Sequence, residues 1–223
     1  MKRLLLVFFI CLLAGSNLYS QNTHPIVRFE TSVGDIIIEL YPEKAPITCE
    51  NFVSYVEEGF YDNTIFHRVI RNFVVQGGGF ISGLKQRKPK DPINNEATNK
   101  LSNLRGTIAM ARTNEVNSAT SQFFINLSDN TFLDHRNNFP QGFGYAVFGK
   151  VIAGMDDVVE RIQSVKTITI GAFSDVPKKD IVLYKASFLR EVKEKSATEN
   201  KKTETNEPIM QNAPPLIEGE PVF

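Results

Sequence analysis

Between residues 26 and 40 apolar positions alternate with polar ones: Val27 and Phe29 precede a turn at Val33-Gly34-Asp35, and Ile36, Ile38 and Leu40 follow it. A period of two belongs to half-buried strands, so this segment predicts a β-hairpin with one face on a core. The period then lengthens. Pro46 stands where a first helical residue would, Phe52, Val53 and Val56 recur at helical spacing, and Gly59 follows as a stop, which predicts an amphipathic helix of about three turns. A second helix is predicted around Met155, Val158, Val159 and Ile162, with Gly154 before it and Asp156 and Asp157 in its first turn, where the helix dipole favours acids. Elsewhere the pattern returns to short apolar runs at 64–70, 74–77, 107–111, 123–127, 146–151 and 181–189. Many short strands with only two helices predict a mainly β protein, a closed barrel with helical plugs.

Two stretches break the pattern. Residues 82–104 are polar, with Lys85, Arg87, Lys88 and Lys90 followed by Asn94, Asn95 and Glu96, and read as a long surface loop whose basic cluster is a solvated face. Residues 191–223 are rich in lysine, glutamate, threonine and proline and hold too few apolar side chains to offset their ordering entropy, so a disordered tail is expected. At the other end, Lys2 and Arg3 precede a short apolar run from Leu4 to Ala14 and then small residues, the pattern of a secretory signal over 1–20, cleaved after Ser16 or Ser20. The run is about half of what a spanning helix needs, so no stable membrane insertion is expected after cleavage. Export follows, and a single domain over 24–190 is left.

Composition then removes alternatives. The 25 basic residues equal the 25 acidic ones, so no global field attracts nucleic acid or an anionic membrane. The seventeen phenylalanines, many beside β-branched residues, agree with a β-rich core. Removal of a signal leaves Cys49 as the one cysteine, without a disulfide partner, and its place beside Phe52 and Val53 marks it as a small buried hydrophobe. His24, His67 and His135 show no metal-ligand spacing, so neither a metal nor a cofactor is expected. Gln76-Gly77-Gly78-Gly79 lacks the lysine and spacing of a phosphate loop, and suits a close approach of backbone. Asn126-Leu127-Ser128 matches a glycosylation acceptor, but in a predicted strand it is discounted.

A set of segments remains. Phe66-His67-Arg68-Val69-Ile70 leads to Phe73-Val74-Val75-Gln76-Gly77-Gly78, then to Gly106-Thr107-Ile108-Ala109-Met110-Ala111, Ser121-Gln122-Phe123-Phe124-Ile125, Phe132-Leu133-Asp134 and Gly144-Tyr145-Ala146-Val147-Phe148-Gly149-Lys150. In order and spacing, across roughly 26–189, these resemble the cyclophilins, especially their bacterial exported branch. The resemblance implies an eight-stranded antiparallel β-barrel capped by two α-helices, and a peptidyl-prolyl cis-trans isomerase acting on proline-containing polypeptide clients, as a monomer.

The residues can be read against that chemistry. Rotation about an Xaa-Pro bond faces a barrier of about 18–20 kcal/mol and takes roughly tens to hundreds of seconds uncatalysed. Amide resonance sets the barrier, so a catalyst must favour the twisted state in which the proline nitrogen holds its lone pair. Arg68, always charged and a rigid multi-donor fork, suits the donor's role because its hydrogen bond strengthens as the lone pair returns. By resemblance, Phe73, Val74, Phe124 and Leu133 form the proline slot, Gln76 bonds the substrate backbone or orients Arg68, and Ala111 and Arg112 lie on the strand that pairs with the peptide. His67 is a packed neighbour, because no proton needs to be abstracted.

The alternatives are a proline-peptide-binding chaperone, in which turnover is secondary, and a small-ligand barrel. Arg68 and Gln76 favour the enzyme, since a binder needs the slot without the donor. Three positions depart from common patterns of the family: Phe132 stands for tryptophan, Tyr145 for histidine, and Gly79 for aspartate. The missing indole removes a hydrogen-bond donor and ring area at the groove rim, so weak cyclosporin binding with retained isomerase activity is expected. Phe132→Trp should tighten cyclosporin binding in a fluorescence titration; unchanged affinity would contradict the role given to this position.

Overall fold

The computed structural model describes residues 24–189. The signal expected over 1–20 and the tail expected over 191–223 lie outside them. The predicted hairpin forms from β1 (Ile26–Thr31) and β2 (Gly34–Leu40), in which Val27 pairs with Ile38 and Phe29 with Ile36. Those four side chains and Leu40 are fully buried, so the alternation does point one face at the core. The turn is tied by Thr31, whose hydroxyl donates to the Gly34 carbonyl and accepts from the Val33 N–H.

Helix α1 (Pro46–Glu57) matches its expected start and length, and buries Cys49, Phe52, Tyr55 and Val56. Its N-terminal donors are satisfied from a distance. Glu96 accepts from the Ile47 and Thr48 backbone N–H groups at 3.1 and 2.8 Å and from the Thr48 hydroxyl at 2.7 Å. A carboxylate there also meets the positive end of the helix dipole. The segment read as a solvated loop is thus pinned along α1: Arg87 donates to the Phe60 carbonyl, and the Lys90 N–H to the Tyr55 hydroxyl.

The second helix departs from the expected single element. A wide π-type turn, Met155–Val159, leads into α2 (Glu160–Gln163). The Gly154 carbonyl accepts from both Val158 and Val159, at 3.1 and 2.9 Å, which widens the first turn by one residue. Gly154 has φ +89°, and a Cβ there would lie 2.4 Å from the Asp35 carbonyl oxygen, so both conformation and contact demand glycine. Val158, Val159 and Ile162 still reach the core.

The remaining strands are β3 (Thr64–Ile65), β4 (Arg68–Ile70), β5 (Val74–Gly77), β6 (Phe80–Ile81), β7 (Lys85–Gln86), β8 (Thr107–Met110), β9 (Phe123–Asn126), β10 (Val147–Ala153), β11 (Thr167–Ile170), β12 (Phe173–Pro177) and β13 (Val182–Phe188). Eleven form one antiparallel sheet in the order β4-β5-β9-β8-β10-β2-β1-β13-β3-β6-β7, and β11 and β12 form a separate ribbon. The mainly β fold with two short helices holds, but no ladder joins the ends of the sheet among the described residues. The expected strand over 64–70 is broken at Phe66 and His67, its first half bonded to β13 and its second to β5. Phe66 and His67 therefore carry the chain from one side of the curled sheet to the other. Inside, Phe29, Phe52, Tyr61, Phe123 and Phe148 pack ring on ring with centroids 5.0–6.4 Å apart.

Candidate active site

Register decides which side chains leave this core. Arg68 pairs with Gln76, Gln76 with Phe124, and Phe124 with Ala109, so one residue from each of β4, β5, β9 and β8 stands in a row across the sheet. Their neighbours Val69, Val75, Ile125 and Ile108 occupy the opposite face and join the main core. On the outer face Val74, Ala109, Phe124 and Val147 form a second, smaller cluster, against which Phe73, Leu101, Ala111, Leu133 and Tyr145 pack. The slot thus has a firm apolar floor of its own.

A cavity of about 270 Å³ lies over this floor, lined by Arg68, Phe73, Val74, Gln76, Ala111, Arg112, Phe124, Leu133 and Tyr145. Phe132 is the one expected residue outside the lining. It is 58% exposed and stacks on Phe73, rings 5.7 Å apart and 17° from parallel, so it backs the wall from the rim. A larger depression of about 660 Å³ runs between Ser32, Val165, Lys178 and Tyr184, and holds none of these side chains. The residues expected to carry the chemistry meet at the smaller cavity.

Several polar partners were not evident from the pattern. Gln76 donates its amide to Gln122 Oε1 at 2.9 Å. Gly79 explains the space for it, since a Cβ there would meet the Gln122 side chain at 2.6 Å. Arg68 Nε faces Asp175 Oδ2 at 3.9 Å, across from β12. Arg112 directs its guanidinium into the wall: Nε donates to the Gly144 carbonyl at 3.0 Å, Nη2 to Pro140 at 2.8 Å, and the group lies 4.8 Å over the Tyr145 ring. Its side chain therefore braces the loop that carries Tyr145, whose N–H in turn bonds the Leu133 carbonyl. Beneath Leu133, Asn126 and Asn130 are buried and linked, Asn126 also bonding Asn103 and Thr107. That leaves no access to Asn126 as a glycosylation acceptor.

His67 lies directly behind Arg68, 5% exposed, with Nδ1 buried and unpartnered among the described residues and the Phe80 ring 4.6 Å away. Burial, reinforced by the Arg68 charge, lowers its pKa to about 4. It is neutral at physiological pH, which suits a packing role. Cys49 is likewise inert: burial pushes its thiol up to about 12. No group of three or more metal-ligating side chains occurs among the described residues, and none of their helices is long and apolar enough to cross a membrane.

The profile of the family described as "Cyclophilin type peptidyl-prolyl cis-trans isomerase/CLD" matches residues 26–188. The chain belongs to this family. It is 50% identical over 191 residues to "Peptidyl-prolyl cis-trans isomerase A" of Dickeya dadantii, covering 85% of this chain and 98% of that protein. To "Peptidyl-prolyl cis-trans isomerase B" of Escherichia coli it is 54% identical over 158 residues, 71% of this chain and 96% of that protein. Among solved structures, a cyclophilin-type isomerase of Cryptosporidium parvum, crystallised in the presence of the dipeptide ala-pro, superposes with a TM-score of 0.63 at 27% identity, covering 74% of this chain and 99% of that one. The cyclophilin fold and peptidyl-prolyl cis-trans isomerase activity are thereby assigned to the chain.

The buried histidine gives this cyclophilin a pH signature. In the unfolded chain His67 titrates near the ordinary 6.5, so below that pH the unfolded state binds a proton the folded state refuses. Stability present above pH 6.5 is lost as pH falls towards 4, by about 3 kcal/mol in the limit. Denaturant unfolding of wild type and His67→Phe at pH 7.5 and 4.5 should show the larger acid loss in wild type; equal losses would contradict the assignment.

Proposed function

We propose that this cyclophilin accelerates Xaa-Pro isomerisation in proteins exported from the cytoplasm, and so assists their folding in the periplasm or cell envelope. The observation that carries the catalytic part is the meeting of an arginine, a glutamine and an apolar slot around one cavity. Phe73, Val74, Phe124 and Leu133 hold the proline ring. The residue before it lies extended along Ala111, with Tyr145 as the far wall. With the ring held, the preceding carbonyl turns, and Arg68 donates to the nitrogen as its lone pair localises. That bond is strongest at the twisted geometry, so it lowers the barrier rather than merely tightening binding. Gln76, with Gln122 behind it, offers its carbonyl to the peptide backbone.

Export rests on the basic start, the short apolar run and the small residues that follow it. Cys49, the one cysteine beyond the expected signal and buried, agrees with it, because no disulfide has to be made. Edman sequencing of the chain from whole cells should give an N-terminus at Asn17 or Gln21; a retained Met1 would refute export.

Catalysis is tested by following cis-to-trans relaxation of an Xaa-Pro peptide. A charge-assisted hydrogen bond is worth about 1.5–3 kcal/mol, so Arg68→Ala should lower kcat/KM by roughly 10- to 150-fold. Equal rates would overturn the mechanism. Peptide binding without acceleration by the wild-type protein would support the chaperone reading instead.

A further inference from the structure

Arg68 stands on β4, an edge strand of the sheet, so β5 is its one ladder partner. The residue opposite it on β5, Gln76, has its amide donor engaged with Gln122. Among the described residues no hydrogen bond reaches the Arg68 terminal nitrogens, and one carboxylate lies within 4 Å of the guanidinium. That carboxylate, Asp175, faces Nε at 3.9 Å. It comes from the ribbon of β11 and β12, which belongs to no other sheet.

Two features hold Asp175 there. Its backbone is left-handed, φ +59°, a conformation most L-residues avoid but aspartate and asparagine tolerate. The ribbon is also anchored on both sides of it. Phe173 sets its edge on Phe80 at 5.4 Å, Phe80 packs on His67, and Val176 is buried. The apolar chain Phe173-Phe80-His67 therefore ends beside Arg68 in sequence, while Asp175 meets Arg68 by charge. Apart from these anchors β11 is exposed along its whole length, so the ribbon adds little to the core.

We propose that Asp175 is a positioning residue for Arg68: it holds the Nε edge of the guanidinium and leaves the terminal nitrogens turned to the cavity. The inference rests on the catalytic role given to Arg68 above. It assigns a purpose to a ribbon that otherwise has none in the site. Asp175 touches no substrate in this account; it acts through the arginine alone.

The experiment is a double-mutant cycle on the full mature chain, measured with an Xaa-Pro peptide. Asp175→Asn keeps size and left-handed backbone and removes the charge, and Asp175→Gly removes both charge and strain. Both should lower kcat about three- to fivefold, as befits a half-exposed ion pair, with KM and melting temperature unchanged. In an Arg68→Ala background neither should alter the residual rate. In about 1 M salt the difference between wild type and Asp175→Asn should shrink. Full activity of Asp175→Asn, or the same loss with and without Arg68, overturns the proposal. So does a loss confined to Asp175→Gly, which would mark a backbone role. Arg68→Ala alone separates the two levels: if it is as active as wild type, the catalytic reading has failed, and this one falls with it.

Discussion

The site depends on one constraint, the register in which β4, β5, β9 and β8 pair. Because strand side chains alternate between faces, Arg68, Gln76, Phe124 and Ala109 emerge together only if each strand is set against the next without a slip. A shift of one residue on β4 would turn Arg68 inward and Val69 out, placing a charge among Val75, Ile125 and Phe123. The cost of burying an unpaired guanidinium makes that register untenable. The same energetics that fill the core with apolar residues thus select the outward row, and folding and catalysis share one arrangement.

Around that row, the walls are made by loops, and each is fastened by a few polar contacts. Arg112 and Asn95 both donate to the Gly144 carbonyl, joining three separate loops at one oxygen. Beneath Leu133 the side chains form a relay, Asn130 donating to Asn126 and Asn126 to Asn103. Buried amides are costly unless satisfied, and satisfied ones tolerate few alternative geometries. The slot is therefore rigid where the proline ring sits. It is more open at the rim, where Phe132 rests against Phe73 and solvent.

Elements with a strong local period were legible in the sequence. The alternation of Val27, Phe29, Ile36 and Ile38 and the start of α1 at Pro46 need no distant partner to be read. The cavity residues were legible for a different reason: their segments carry the family resemblance. What stayed hidden is long-range. Glu96 serves α1 across 48 positions, and nothing local in a polar stretch separates such a cap from a solvated acid. The ribbon of β11 and β12 was missed because its strands are short and largely exposed, so Thr167–Ile170 buries neither alternate face. Asp175 was missed with it. The paired hydrogen bonds accepted by the Gly154 carbonyl, which widen the second helix, were equally invisible, since the spacing of Val158, Val159 and Ile162 suits an ordinary helix too.

The break at Phe66 and His67 bears on how the molecule comes together. β13 lies between β1 and β3, so both wait for the last strand of the sheet to be synthesised. Until Val182–Phe188 is available, β1 keeps an open edge and Thr64–Ile65 has no neighbour on that side. A chain synthesised from its N-terminus therefore cannot complete its sheet early. Its pairings of longest sequence separation form last, which slows completion of the sheet. Completion of the sheet then depends on β13, the last of its strands in chain order among the described residues, which staples the hairpin of β1 and β2 to β3.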